Sequence, residues 1–414
     1  MSLEEQKSLE SQYVMNTFAR KPVEFVSGMG CTLKDDAGRE YLDFIGGIGA
    51  CSLGHCHPAL VNALKTQAET LIHVSNYYYI EKRGQVSQKL SAMLNAALPA
   101  EKQQPWKTFY ANSGAEANEC SIKLARLYAR KKFVAAGGNA EEAPRTVVVM
   151  ERSFHGRTLA TLAATAQAVK QELFQPLPSG FVPTPMNDVE ALEQLFEQKG
   201  SQICAVMLEV IQGESGVHPV SQEYFEAVDR LAKRYGALII CDEVQCGIYR
   251  CGTYPYAFQH YGITPDIVSM AKGIAGGFPC GASSARADVA DAFEPGVHGS
   301  TFGGSNLAIA AISATLAAIE DEGVADHVAK VGAYFAEKLA ELPHVAEVRG
   351  KGLMLAIELD ASAEKTAPQI VADALEAGFV LNYTGPTTMR FLPPLVVTEA
   401  DIDALIGGLK DLIK

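Results

Sequence analysis

Four continuous apolar runs constrain this chain more than any other feature: TVVVM (146–150), ICAVMLEV (203–210), ALIICDEV (237–244) and DIVSMA (266–271). None alternates apolar with polar residues, as a strand with one wet face does. Each reads as a strand covered on both faces, the mark of a parallel sheet. Helical patterns separate them, among them ALEQLFEQK (191–199) and QEYFEAVDRLAKRY (222–235). Strand and helix in alternation predict an α/β domain with a mostly parallel central sheet.

The rhythm changes near residue 310. An uncharged helical stretch, Leu307–Ile319, is followed by VAKVGAYFAEKLAEL, a strand candidate LMLAIEL (353–359), a helix around 366–377 and a last helix after Thr398. With 414 residues there is room for two domains. The expected division is an N-terminal segment, 1–60, packing with the small domain; a large α/β domain, 61–308; and a small α+β domain, 309–414. The N-terminal segment holds FVSGMGCTLKDDAGREYLDF, a hairpin pattern turning at Asp35-Asp36-Ala37-Gly38. After Pro58 a helical face carries Leu60, Ala63, Leu64, Gln67, Ala68 and Leu71.

Composition excludes more than it assigns. A formal net charge of −13 argues against a nucleic-acid partner, which needs a basic surface. Nine cysteines, an odd number without a C-x-x-C pair, read as free thiols in a reducing, cytoplasmic compartment. His55, Cys56 and His57 in LGHCHPAL lie too close along the chain to converge on one ion, so no metal site is expected. Neither a secretory leader nor a membrane-length apolar run is visible; Leu307–Ile319 is too short to span a bilayer.

Ligands of open α/β sheets bind at the carboxyl ends of the strands. Those ends deliver Phe154, His155 and Arg157 after 146–150, and Glu209, Gln212 and Glu214 after 203–210. They deliver Asp242, Glu243, Val244 and Gln245 at 242–245, and Lys272 after 266–271. Upstream, Asn112-Ser113-Gly114-Ala115 opens a long helix whose free N–H groups and dipole suit a phosphate. Each feature alone has a plain explanation. Ser113 and Glu116 can form a capping box. Lys272 can snorkel to solvent, Phe154 can be core, and Arg157 a surface ion pair. Together they match one chemistry. Pyridoxal 5'-phosphate needs a lysine for its aldehyde, an acid for its pyridine nitrogen, a phosphate cradle and a flat neighbour.

SGAEAN, SFHGRTLAT, IQGESGV, CDEVQ, AKGIAGGFP and HGSTFGG occur in the order and spacing of the class III (ornithine aminotransferase-like) pyridoxal phosphate aminotransferases, which the chain resembles over nearly its whole length. The resemblance implies the fold type I architecture of pyridoxal phosphate-dependent transferases. It implies Lys272 as the Schiff-base lysine and Asp242 as the partner of the pyridine nitrogen. Gln245 would bond the phenolic oxygen, Phe154 would stack on the ring, and Ser113, Gly114 and Ala115 would hold the phosphate, with Glu243 and Val244 beside them. Ser300 and Thr301 would reach across a homodimer interface, Thr301 to the phosphate of the neighbouring site. Arg157 would bind a carboxylate far from the reacting amine. Arg390 would bind the α-carboxylate of glutamate, with Glu214 as its alternative partner.

HVSNYYY, RGKGLMLAIEL and RFLPPLVVT point, within that family, to N2-acetyl-L-ornithine as amino donor and 2-oxoglutarate as acceptor, in arginine biosynthesis. Succinyldiaminopimelate, ornithine, 4-aminobutyrate and putrescine are alternative donors, and an aminomutase acting without an external keto acid is a further alternative. Some positions depart from the family pattern: Val210, Tyr249, Cys251 and Ser305-Asn306. Ile48 stands where ornithine aminotransferases carry a substrate-binding tyrosine.

Overall fold

The computed structural model describes residues 2–414. After a helix at Leu3–Tyr13, three antiparallel strands form a meander: β1 (Phe25–Met29), β2 (Thr32–Asp35) and β3 (Glu40–Asp43). The turn between β2 and β3 is the one expected. The Asp35 carboxylate accepts the N–H groups of Ala37 and Arg39 at 3.0 and 2.8 Å, and Gly38 takes φ 83°.

The central sheet uses β4 (Trp106–Ala111), β5 (Thr146–Met150), β6 (Phe181–Thr184), β7 (Ile203–Leu208), then, after the short pair β8 (Ile211–Gln212) and β9 (His218–Pro219), β10 (Leu238–Asp242), β11 (Ile267–Met270) and β12 (Gly281–Arg286). Its order is β4-β12-β11-β10-β7-β5-β6. The four apolar runs are β5, β7, β10 and β11; they are neighbours and all parallel. Only β12 runs against the sheet, antiparallel to β11 and β4. Two runs end two residues earlier than their apolar character suggests. Glu209-Val210 and Glu243-Val244 leave the ladder and begin the loops above it.

The separating helices bury the faces that their periodicity selects. Gln222–Tyr235 turns Tyr224, Phe225, Val228 and Leu231 inward and ends on Gly236 at φ 73°. The run at 307–319 is the buried helix Asn306–Asp321, and Ser305, one of the departures, caps it by accepting the Ala308 N–H. The helix Pro58–Thr70 buries Leu60 alone and leaves the rest of its apolar face half covered or open.

The last strands are β13 (Val345–Lys351), β14 (Met354–Leu359), β15 (Phe379–Val380), β16 (Asn382–Tyr383) and β17 (Thr388–Phe391). Four of them make an antiparallel sheet, β13-β14-β17-β16. The fifth, β15, pairs parallel with β3. Phe335 joins these parts, with Phe44 at 5.7 Å and Phe391 at 5.3 Å between ring centres. No helix among the described residues is long and apolar enough to cross a membrane.

Candidate active site

β4 delivers Asn112 and Ser113 to the start of the helix Gly114–Ala135. Ser113 is extended, and its hydroxyl accepts the Glu116 N–H at 3.2 Å. The capping box is only half formed: Glu116 reaches past Ser113 to the N–H of Asn112 at 2.5 Å. That leaves the first N–H groups of the helix, which have no intrahelical acceptor, for a ligand. The turn is held by close approach. A Cβ on Gly114 would sit 2.9 Å from Val244 Cγ1, and one on Gly281 in β12 would overlap the Ser113 carbonyl.

Asp242 ends β10 and is buried. Its Oδ2 accepts from Asn118 Nδ2 and pairs with His155 Nδ1, both at 2.8 Å, and its Oδ1 accepts the Val244 N–H at 3.0 Å. Burial works against a charge on His155, but the bond to Asp242 and its charge outweigh burial and raise the imidazole pKa. Lys272 follows β11 at φ 47°, a conformation that a long side chain rarely adopts. Burial lowers its ammonium pKa, against the pull of Glu214 and Asp242. Nearby, burial pushes Glu209 up to about 7, while its Oε2 accepts the Phe154 N–H at 2.8 Å.

Arg390, from β17, is 2% exposed. Its Nη1 meets Glu214 Oε1 at 2.6 Å, Gly213 O at 3.1 Å and Gln245 Oε1 at 3.2 Å, and its Nη2 meets Asn382 Oδ1 at 3.1 Å. Burial alone would raise the Glu214 carboxyl; Arg390 overrides it and holds the pKa below the ordinary value. Gln245 also donates to Glu214 at 3.3 Å. A cavity of about 420 Å³ opens between the cradle, Asp242, Lys272 and Phe154, with Arg157 at its edge.

A profile of the class-III aminotransferases matches residues 15–413. The chain belongs to the class-III aminotransferases. It is 45% identical over 408 residues to the acetylornithine aminotransferase of Caldanaerobacter subterraneus, covering 98% of each chain. It is 42% identical over 416 residues to that of Methanocaldococcus jannaschii, covering 100% of this chain and 98% of the relative. Among solved structures, the ornithine aminotransferase of Toxoplasma gondii superposes with a TM-score of 0.90 at 30% identity, covering 100% of this chain and 95% of that one. The acetylornithine aminotransferase of Elizabethkingia anophelis gives 0.83 at 30%, covering 100% and 99%.

This class-III enzyme is a transaminase that depends on pyridoxal 5'-phosphate. Its residues fit that cofactor. The helix start has unbonded N–H groups and a glycine whose Cβ would crowd Val244, and the buried carboxylate of Asp242 lies within one cavity of Lys272. Ser113, Gly114 and Ala115 line the cavity beside Phe154 and Arg157; Val244 and Gln245 line it beside Asp242 and Lys272.

The expected role of Glu243 beside the cofactor needs correction. Its carboxylate is buried away from the cavity and accepts the N–H groups of Ala257 and Phe258, both at 2.9 Å. Neighbouring residues of an extended chain point to opposite sides, so Asp242 and Glu243 cannot both face the cavity. Ser300 and Thr301 line a different, open cavity, although Ser300 Oγ accepts from Asn112 Nδ2 at 3.1 Å. Asn118 escapes a sequence reading because it works through a buried contact made only in three dimensions, and Glu209, visible at a strand end, has a role there that only its buried bond to the Phe154 N–H reveals. His155 carried a signal, one residue after Phe154 at a strand end, that its type alone could not turn into a role. His55 and His57 are taken up by Asp43 at 2.7 Å and Glu322 at 3.0 Å.

Proposed function

We propose that this transaminase moves the δ-amino group of N2-acetyl-L-ornithine to 2-oxoglutarate in two half-reactions, as a cytoplasmic homodimer serving arginine biosynthesis. The observation that carries this reading is the contrast between two arginines. Arg390 is neutralised by Glu214 at 2.6 Å, whereas Arg157 is exposed at the cavity edge and forms no ion pair among the described residues. A donor that reacts at its terminal amine brings no carboxylate near the reacting carbon, so Arg390 stays closed on Glu214. Its carboxylate lies at the far end, within reach of the Arg157 fork. A 2-oxoglutarate carboxylate beside the reacting carbon takes Arg390, and Glu214 gives way. Ile48 supports an acylated donor: it is apolar, 42% exposed and two residues from Ala50 on the cavity wall, and it offers no hydrogen bond to a free α-amino group. The names of the curated relatives agree with that choice.

Pyridoxal phosphate, when bound, supplies an aldehyde that receives the amino group and a ring that draws electrons from the reacting carbon. The protein supplies the rest. Lys272 Nζ, less basic than an ordinary lysine because it is buried, would hold the cofactor and move a proton at the reacting carbon. Asp242 keeps a proton on the ring nitrogen and is itself held in line by His155 and Asn118. Phe154 would cover the ring, Gln245 would bond its phenolic oxygen, and Ser113, Gly114 and Ala115 would hold the phosphate. Thr301 would complete the phosphate site of the partner subunit, with Ser300 beside it.

A panel of amino donors with 2-oxoglutarate tests the substrate. N-acetylornithine should exceed ornithine, 4-aminobutyrate, putrescine and succinyldiaminopimelate in kcat/KM by about tenfold or more, a difference of about 1.4 kcal/mol. A better rate with any of the other four overturns the assignment.

A further inference from the structure

We propose that Lys170 and Arg157 form a two-cation clamp for the carboxylate that a substrate carries away from its reacting carbon, making Lys170 a specificity-determining residue. The inference rests on the transaminase reading of the cavity and deepens it. Lys170 lies in the single helical turn Ala168–Gln171. That turn is anchored: Gln171 Nε2 donates to the carbonyls of Leu162, Ala163 and Thr165 at 3.0, 3.2 and 2.7 Å. The ammonium is therefore delivered from fixed backbone. Its Nζ lies 4.9 Å from the Phe154 ring centre, and Arg157 Cζ lies 5.6 Å from the same centre.

One aromatic ring attracts a cation but does not neutralise two. Neither Lys170 nor Arg157 has an ion-pair partner among the described residues, and the acids near them are committed elsewhere. Glu214 is held by Arg390, and Glu209 by the Phe154 N–H. Lys170 is half-buried, and burial lowers its pKa against the attraction of Glu214. The other charges around it are those of Arg157, Glu209 and Arg390. Because Arg390 and Glu214 cancel, two cations without an ion-pair partner remain around Phe154: Arg157 on the cavity lining and Lys170 against the same ring. A free surface lysine would turn its ammonium to water; this one stays partly desolvated beside another cation, an arrangement that costs energy until an anion arrives. A carboxylate resolves it. The planar guanidinium sets the orientation of that carboxylate, and the ammonium adds a point charge from a second direction.

The test uses the holoenzyme and two donors that differ only in a distal carboxylate, 5-aminopentanoate and pentylamine. Each is mixed with enzyme in the absence of acceptor, and the cofactor absorbance is followed; glutarate serves as a competing ligand. Lys170→Met should raise the half-saturating concentration of 5-aminopentanoate and the inhibition constant of glutarate by about tenfold. The pentylamine reaction should stay within about twofold, and Lys170→Arg should restore most of the loss. Equal effects on both donors, or none on either, overturn the clamp. Neither donor is N-acetylornithine, so a failed substrate assignment shows in the wild-type panel and leaves this comparison readable.

Discussion

Lys272 sits at φ 47°, in the left-handed region that a long side chain enters only where its surroundings impose it. The conformation follows from position. β11 ends at Met270, and a short turn at Lys272–Ala275 leads away from the sheet through Gly276 at φ 59° and Gly277 at φ 106°. A lysine there is enclosed with Asp242 rather than placed in water, and it is made less basic by burial. If it is the covalent anchor proposed here, Lys272→Ala should lower turnover by about a thousandfold or more. The variant should still bind cofactor and melt close to the parent, since no backbone hydrogen bond is lost. Steady-state rates, cofactor content and a thermal melt read all three, and near-normal turnover would remove Lys272 from the mechanism. At this scale the sequence is legible where chemistry sits at a strand end, as for Lys272, Asp242 and Phe154. It misleads where the direction of one side chain decides, as for Glu243. It does not give the role of a buried group that acts through another: His155, visible at a strand end, and Asn118, not visible at all, matter because both contact Asp242 Oδ2 at 2.8 Å, and no spacing in the chain announces that.

The element that sets the cradle is the junction of β4, β12 and the helix Gly114–Ala135. Gly281 pairs with Ala111 across the sheet, and a side chain on it would overlap the Ser113 carbonyl oxygen. Its backbone is not left-handed, so the requirement is for space alone. Gly281→Ala should push Ser113 outward and turn the first N–H groups of the helix off line. Cofactor affinity should fall by about tenfold or more, with a modest loss of thermal stability of about 1–3 kcal/mol. Titration of apoenzyme with pyridoxal phosphate reads the first, and denaturant unfolding the second; an unchanged affinity would show that the loop gives way at no cost. β12 also shows why part of the sheet was hidden. GASSAR has no apolar run, yet five of its six residues are buried. Ser283 and Ser284 are satisfied by Ser121 at 2.9 Å and Thr108 at 2.8 Å. Small and hydroxylated residues can occupy a sheet interior once their partners are in place, and a hydropathy pattern does not reveal those partners. The four apolar strands needed no such help, since burial on both faces wrote itself into their composition.

Across the whole molecule, the described chain leaves much apolar surface uncovered. Tyr77, Tyr78, Tyr79 and Phe302 are 94%, 64%, 103% and 62% exposed, and the helix Pro58–Thr70 buries only one side chain. Ser300 and Thr301 lie in this region, in the open cavity lined by Tyr77 and Tyr110, apart from the cavity that holds Lys272. Apolar surface of that extent suits an interface between copies of the chain. If Thr301 serves the partner's phosphate site, two damaged subunits should repair each other. Lys272→Ala removes the anchor, and Thr301→Asp places a negative charge against a phosphate. A heterodimer of the two joins the intact Lys272 of one subunit with the intact Thr301 of the other in one site, while its second site carries both lesions. Heterodimers isolated by two different affinity tags should therefore recover roughly half of the wild-type turnover per dimer. Each parent homodimer should stay near zero. If Thr301 instead acts within its own chain, every site of the heterodimer carries one lesion and no activity returns. The mixed dimer thus decides which subunit completes the cradle.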